Sequence, residues 1–77
     1  MTIPFSVGPT SQDCLIQLRN PYDGNVIVEI FRGSCTPGVH SVEFDPTLVD
    51  GGLDAGLYAL YVKIGEEEES YPMQYMP

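Results

Sequence analysis

Short apolar segments alternate along the chain with clusters of turn-forming residues. Gly, Pro, Asn, Asp and Ser recur at positions 8–11, 20–25, 33–38, 45–46, 50–52 and 65. Between these clusters, apolar and polar residues alternate with the period of two that is typical of a half-buried β-strand. The pattern predicts six strands, at residues 4–7, 14–19, 26–31, 39–44, 57–64 and 71–76.

The same pattern argues against helix. Seven prolines and eight glycines leave no segment of about ten residues or more with an unbroken helical period. A chain of 77 residues also holds only one compact domain. We therefore predict a single all-β domain, residues 1–77, built as a two-layer sandwich of about six or seven antiparallel strands.

Alternate residues of a strand point to opposite faces of its sheet, so the polar residues assign the faces. With Gln17, Arg19, Glu29, Glu43 and Lys63 in water, the inward set is predicted to be Ile16, Leu18, Val26, Val28, Ile30, Val42, Phe44, Tyr58, Leu60, Val62 and Ile64. The outward set is then expected to include Leu15, Ile27, Phe31, Leu57, Ala59 and Tyr61.

The outward face is therefore more apolar than water-exposed positions usually are. A contiguous apolar patch on a small soluble domain marks a contact surface, and Tyr and Met, which recur in the last strand, are enriched at interfaces. The predicted protein interface consists of Ile27, Phe31, Leu57, Tyr61, Tyr71, Met73 and Tyr75. The alternative is that loops fold over this face and bury it.

The charge balance limits the class of partner. Eleven acidic side chains against three basic ones give a formal net charge of -8. Nucleic acids and anionic lipid surfaces are held by Lys and Arg, so neither is an expected partner. No apolar run is long enough for a membrane span, and residues 1–4 lack signal-peptide features. We expect a soluble, unexported chain, although an excised domain has the same pattern.

Few residues offer chemistry. His40 is the only histidine, and its position at the start of a strand favours a hydrogen-bonded structural role over general-base catalysis. Cys14 is predicted as a buried small residue and Cys35 as a surface thiol in a turn, with one disulfide as the alternative. The two cysteines have no metal-type spacing. We expect neither enzymatic activity nor a cofactor.

The acidic residues have two interpretations. Residues 66–69, four glutamates in a row, are predicted to form a solvated hairpin tip. Asp45, Asp50 and Asp54 fall in one loop with glycine carbonyls between them, an oxygen-rich set that suits Ca²⁺. Their spacing does not fit an EF-hand, and aspartates commonly cap turns, so we favour turn capping over a metal site.

One pattern resembles a known family. Residues 38–45 read GVHSVEFD, residues 50–52 read DGG, and residues 55–62 read AGLYALYV. This order resembles the immunoglobulin-like domain of the bacterial flagellar hook-capping protein, which also occurs at the C-termini of secreted bacterial proteins. The resemblance implies an immunoglobulin-like sandwich. Independently of the family, Tyr58 is expected to bury its ring while its hydroxyl caps a loop backbone group. Phe44 and Pro46 depart from the tryptophan and glycine common in that family.

Three functions are compatible with these features. A chain with its own Met1, no export signal and apolar faces suits a structural protein that binds a pre-built lattice, and we expect a virion decoration or minor capsid protein. Its partners would be a coat protein or copies of itself. The resemblance implies instead an accessory, sorting or cap domain of a secreted or flagellar bacterial protein, at the cell surface or outside it. A carbohydrate-binding module ranks last, since the chain has no Trp.

Overall fold

The computed structural model describes residues 2–45 and 53–76. They form six strands and no helix: β1 (Thr2–Val7), β2 (Gln12–Arg19), β3 (Val26–Cys35), β4 (Gly38–Glu43), β5 (Gly56–Ile64) and β6 (Glu67–Tyr75). The all-β prediction is confirmed, and each predicted strand overlaps an observed one. Within these ranges no helix is long and apolar enough to cross a membrane.

The strands form two antiparallel sheets of unequal width. One contains β1 and β4, and the other has the order β3-β2-β5-β6. The larger sheet is built around the two central strands, because β2 pairs with both β3 and β5. This is the small two-layer β-sandwich that the turn spacing predicts.

The core lies between the two sheets and is centred on β2. Ile16 and Leu18 are fully buried, and with Ile3 of β1, Phe44 and Val62 of β5 they form the main cluster. The inward prediction is confirmed for Ile16, Leu18, Phe44 and Val62. A smaller cluster at one end of the sandwich contains Val7, Cys14 and Cys35.

Two β-bulges on β3 change which of its residues face the core. Ile16 pairs with Phe31 but Gln17 pairs with Glu29, so Ile30 is an extra residue in the ladder. Ile27 is a second extra residue, between the pairs Leu18–Val28 and Arg19–Val26. Each extra residue reverses the alternation beyond it. Simple alternation therefore fails on this strand.

Two predictions on β3 are wrong for this reason. Phe31 shares a face with the buried Ile16 and packs against both core clusters, so its predicted outward orientation is wrong. Val26 shares the outward face with Arg19 and is 50% exposed, so its predicted place in the core is wrong. Val28 and Ile30 pack against the main cluster as predicted.

Strands β6 and β3 are longer than predicted, and this corrects the predictions for the acidic hairpin tip and for Cys35. β6 begins at Glu67, so most of the predicted acidic hairpin tip belongs to the strand, where Ile64 pairs with Glu67 and Val62 with Glu69. Gly65, with φ of 62°, makes the turn, and its amide donates to the carbonyl of Asp13 at 2.9 Å. β3 likewise continues to Cys35, which is buried and is not the surface thiol that was predicted.

Candidate protein-binding groove

The unequal widths of the sheets leave the inner face of β6 incompletely covered. Leu60 of β5 faces the core and pairs with Tyr71, and Tyr58 pairs with Met73. Because paired residues of antiparallel strands share a face, Tyr71 and Met73 point inward. Tyr71 is nevertheless 47% exposed. A four-stranded sheet opposite a two-stranded one therefore leaves its edge strand partly open.

The space between β1 and β6 is a groove with a volume of about 580 Å³. Strand β1 forms one wall, the inner face of β5 forms the floor and β6 forms the other wall. The lining residues are Thr2, Ile3, Pro4, Phe5, Ser6, Leu60, Val62, Ile64, Glu67, Glu69, Tyr71, Pro72 and Met73. Most of these side chains are apolar, so the groove suits a partner that inserts apolar side chains.

Of the interface residues predicted from the sequence, Tyr71 and Met73 line this groove. Met73 is half-buried and packs against the main core cluster. Tyr75 lies on the same face of β6, opposite Gly56, beyond the lining. Sequence reasoning missed the β1 wall, although the alternation of Ile3, Phe5 and Val7 marks an inward face.

The remaining predicted interface residues do not join these. Leu57 and Tyr61 lie on the outer face of β5, and Ile27 lies at a bulge of β3 and is 39% exposed. Strand β2 lies between β3 and β5, so Arg19 and Gln17 separate Ile27 from the other two. Phe31 belongs to the core. The seven residues are therefore divided among four regions: the inner face of β6, the outer face of β5, the bulge of β3 and the core.

The outer face is a polar network around Arg19. Its Nε and Nη2 donate to Oε1 of Gln17 at 3.0 and 2.8 Å, and its guanidinium lies 3.7 Å from the ring centroid of Tyr61. The Tyr61 hydroxyl donates to the Glu68 carboxylate, and this hydrogen bond raises the pKa of Tyr61. Gln17 keeps its predicted outward face but is only 8% exposed under this cover. Tyr61 is thus already engaged within the chain.

Electrostatics distinguish the groove from the outer face. Two carboxylates line it, those of Glu67 and Glu69, and its described lining contains no Lys or Arg. The hydroxyl of Tyr71 donates to Glu69 and so orients that carboxylate beside the apolar wall. An apolar groove with acidic groups at one end complements a segment that carries both apolar and basic side chains.

Prolines modify both walls. Pro4 in β1 and Pro72 in β6 each lack the N–H that pairs with a neighbouring strand. In edge strands such prolines limit pairing with the edge of another sheet. The groove is therefore better suited to side-chain insertion than to continuous sheet extension.

The remaining residues singled out from the sequence, His40 and the calcium candidates, are not among the described residues that line the groove. His40 stacks on Phe5 with ring centroids 5.5 Å apart, and its Nε2 lies 2.6 Å from the carbonyl oxygen of Thr36.

The three calcium candidates differ in their surroundings. Asp50 lies outside the described residues and Asp45 is exposed. The backbone carbonyl of Asp54 accepts a hydrogen bond from the Tyr58 hydroxyl. The expected Tyr58 bond is confirmed. In residues 2–45 and 53–76 no cluster of His, Cys, Asp and Glu is arranged to hold a metal ion.

No protein-family model, curated protein or solved structure that was compared matches this chain. The resemblance to the hook-capping immunoglobulin-like domain therefore stays a prediction.

Proposed function

We propose that this chain is a non-enzymatic structural protein that binds another protein of a large assembly through the β1–β6 groove. The proposed assembly is a virion, in which the chain decorates or completes the coat. The observation that carries the proposal is the open inner face of β6, where Tyr71 is 47% exposed beside the half-buried Met73. A partner that covers this face would remove apolar surface from water.

The shape of the groove supports a proposal for the form of the partner. Its walls are two strands, and β1 offers a wall of six residues, Thr2–Val7. An extended segment of similar length fits between such walls, and its alternate side chains then point towards the floor formed by Leu60, Val62 and Ile64. The partner is therefore proposed to present an extended segment.

The negative charge of the chain favours a different protein as the partner over a second copy of this chain. The formal net charge is -8, and Glu67 and Glu69 line the groove, so two copies would repel each other at this site. Pro4 and Pro72 add a geometric obstacle to pairing between copies. The proposed partner is a coat-type protein whose extended segment carries Lys or Arg beside apolar residues.

Two synthetic peptides test the binding chemistry: an extended peptide alternating Val with Lys, and the same peptide with Glu in place of Lys. Titration into isotopically labelled chain, followed by NMR, is expected to shift amide signals of β1 and β6 with the Lys peptide. Added salt should weaken this binding, since it screens the carboxylates. Equal binding of the Glu peptide, or shifts confined to the outer face around Tyr61, would contradict the proposal.

A matched pair of variants locates the site. Tyr71→Ala removes the aromatic ring from the groove wall and is expected to lower the affinity for the Lys peptide about tenfold, because the ring supplies apolar contact area without changing the charge. Tyr22→Ala makes the same change at an 87% exposed residue of the β2–β3 turn and should leave binding unchanged. Circular dichroism establishes that both variants are folded. Equal affinities for folded variants would exclude the groove.

The type of assembly needs its own test. Gradient-purified virions, digested and quantified by mass spectrometry, are expected to contain the chain at a fixed ratio to the coat protein. Recovery of the sequence only as part of a longer secreted or flagellar protein would replace the virion proposal with the accessory-domain alternative.

A further inference from the structure

The smaller core cluster contains both cysteines of the chain. Cys14 lies in β2 and Cys35 is the last residue of β3, and they are 3% and 9% exposed. They pack with Val7 at the open end of the β2–β3 hairpin, opposite its turn. Both thiols are free in this structure.

The strand register brings the two side chains to one face. Cys35 pairs directly with Gln12, and Cys14 pairs with Gly33, so the cysteines are diagonal neighbours across the ladder. The Cys14 thiol donates to the carbonyl oxygen of Gln12 with a sulfur–oxygen distance of 3.7 Å. That carbonyl belongs to the residue opposite Cys35, so the Cys14 sulfur is turned towards its neighbour.

The electrostatics of Cys14 report the same proximity. Burial raises its pKa from 9.0 to about 11, and a hydrogen bond with the Cys35 thiol is the second cause. The two thiols lie in one cluster, and a disulfide between such diagonal neighbours requires a shift of the backbone. Cys35 ends its strand, where the ladder no longer restrains the backbone on its C-terminal side.

We propose that Cys14 and Cys35 form an intramolecular disulfide site that is oxidised by a low-molecular-weight disulfide such as oxidised glutathione. The thiolate of one cysteine attacks the glutathione disulfide, forming a mixed disulfide and releasing one glutathione thiolate, which takes up a proton. The second cysteine, as thiolate, attacks the protein sulfur of the mixed disulfide and releases the second glutathione. Two protein thiols are oxidised and one glutathione disulfide is reduced to two thiols.

Accessibility sets the order of these steps. Cys35 is the more exposed thiol and lies next to the exposed residues Thr36 and Pro37, so it reacts first with the small disulfide. Cys14 is almost fully buried and serves as the resolving thiol. Because its thiol stays largely protonated at neutral pH, closure is slow in the folded chain.

The disulfide would fasten the open end of the hairpin. It closes a ring that runs from Cys14 through the β2–β3 turn to Cys35, and such a ring restricts the unfolded chain. We expect the melting temperature to rise by about 10–20 °C on oxidation, given the typical effect of a ring of this size on a small domain. This state would strengthen a domain whose small size limits its core.

The test uses the full chain, reduced and then equilibrated in glutathione buffers of increasing oxidised fraction. Remaining thiols are alkylated after denaturation, and the products are identified by mass spectrometry. The expected product is a monomer that has lost two hydrogens and takes up no alkylating agent, with a raised melting temperature. Two alkylated thiols at every ratio, or only glutathione adducts and linked dimers, would overturn the proposal.

Single variants test the order of attack. Cys14→Ala retains Cys35 and is expected to accumulate the glutathione mixed disulfide, whereas Cys35→Ala should react far more slowly. Faster reaction of Cys35→Ala would overturn the proposed order. The melting temperatures of the oxidised and reduced wild-type chain decide the stabilising effect without any variant.

Discussion

The guanidinium of Arg19 lies over the ring of Tyr61, 3.7 Å from its centroid, while two of its nitrogens donate to Gln17. One basic side chain therefore covers an aromatic ring and a buried amide on the outer face of the larger sheet. The outer face at Tyr61, which the sequence predicts to be an apolar contact surface, is therefore occupied by contacts within the chain.

Arg19→Ala is expected to destabilise the domain by about 1–2 kcal/mol, because it removes the contact with Tyr61 and uncovers Gln17. Arg32→Ala is the matched control, since Arg32 makes an ion pair with Glu29 at an exposed site and should contribute less than about 0.5 kcal/mol. Urea unfolding monitored by circular dichroism measures both changes. Equal decreases in the free energy of unfolding would show that the Arg19 network contributes no more to stability than the exposed ion pair.

Glu68→Ala is expected to lower the pKa of Tyr61. The hydrogen bond to Glu68 is the largest cause of the raised pKa, and the negative charge of the carboxylate acts in the same direction. Alkaline titration of tyrosinate absorbance should show one tyrosine that ionises at lower pH in the variant. Glu67→Ala is the control, because Glu67 lies on the opposite face of β6 and should leave Tyr61 unchanged.

The reduced chain is expected to lose stability as the pH rises from 9.0 to about 11, because the pKa of Cys14 is raised across this interval on folding. The unfolded chain releases the thiol proton at the lower pH, while the folded chain keeps it until the pH passes the raised pKa. Stability from this group is therefore complete below pH 9.0.

Urea unfolding of the wild type and of Cys14→Ala, with a phosphine reductant present, isolates this contribution. The difference between their pH profiles should be confined to the alkaline interval. Parallel profiles across the whole range would contradict the raised pKa.

Phe31→Ala should cost about 2–4 kcal/mol, since it removes a ring that packs against both core clusters. Ile27→Ala, at the neighbouring bulge, removes a 39% exposed side chain and should cost less than about 1 kcal/mol. Thermal unfolding compares the two variants. A loss for Phe31→Ala as small as that for Ile27→Ala would show that Phe31 faces water and that simple alternation holds on β3.

Tyr71 and Met73 illustrate which part of the candidate site can be predicted from local sequence. Tyr71 and Met73 stand out as interface candidates because Tyr and Met recur in the last strand. Their pairing with Leu60 and Tyr58 belongs to the β5–β6 hairpin, but the space that they face is formed with β1, which is distant in the chain. The residues are thus visible in the sequence, but the groove is not.

The sequence by itself determined the six strands, the all-β fold and the buried positions of Ile16, Leu18 and Val62. These features follow from turn formers and from period-two alternation, which are local properties of the chain. Only the tertiary structure decided the orientation of Phe31, the neighbourhood of Cys14 and Cys35, and the opening between β1 and β6. Bulges, register and sheet width arise when distant segments pair, and no local pattern records which residue of a strand is left unpaired.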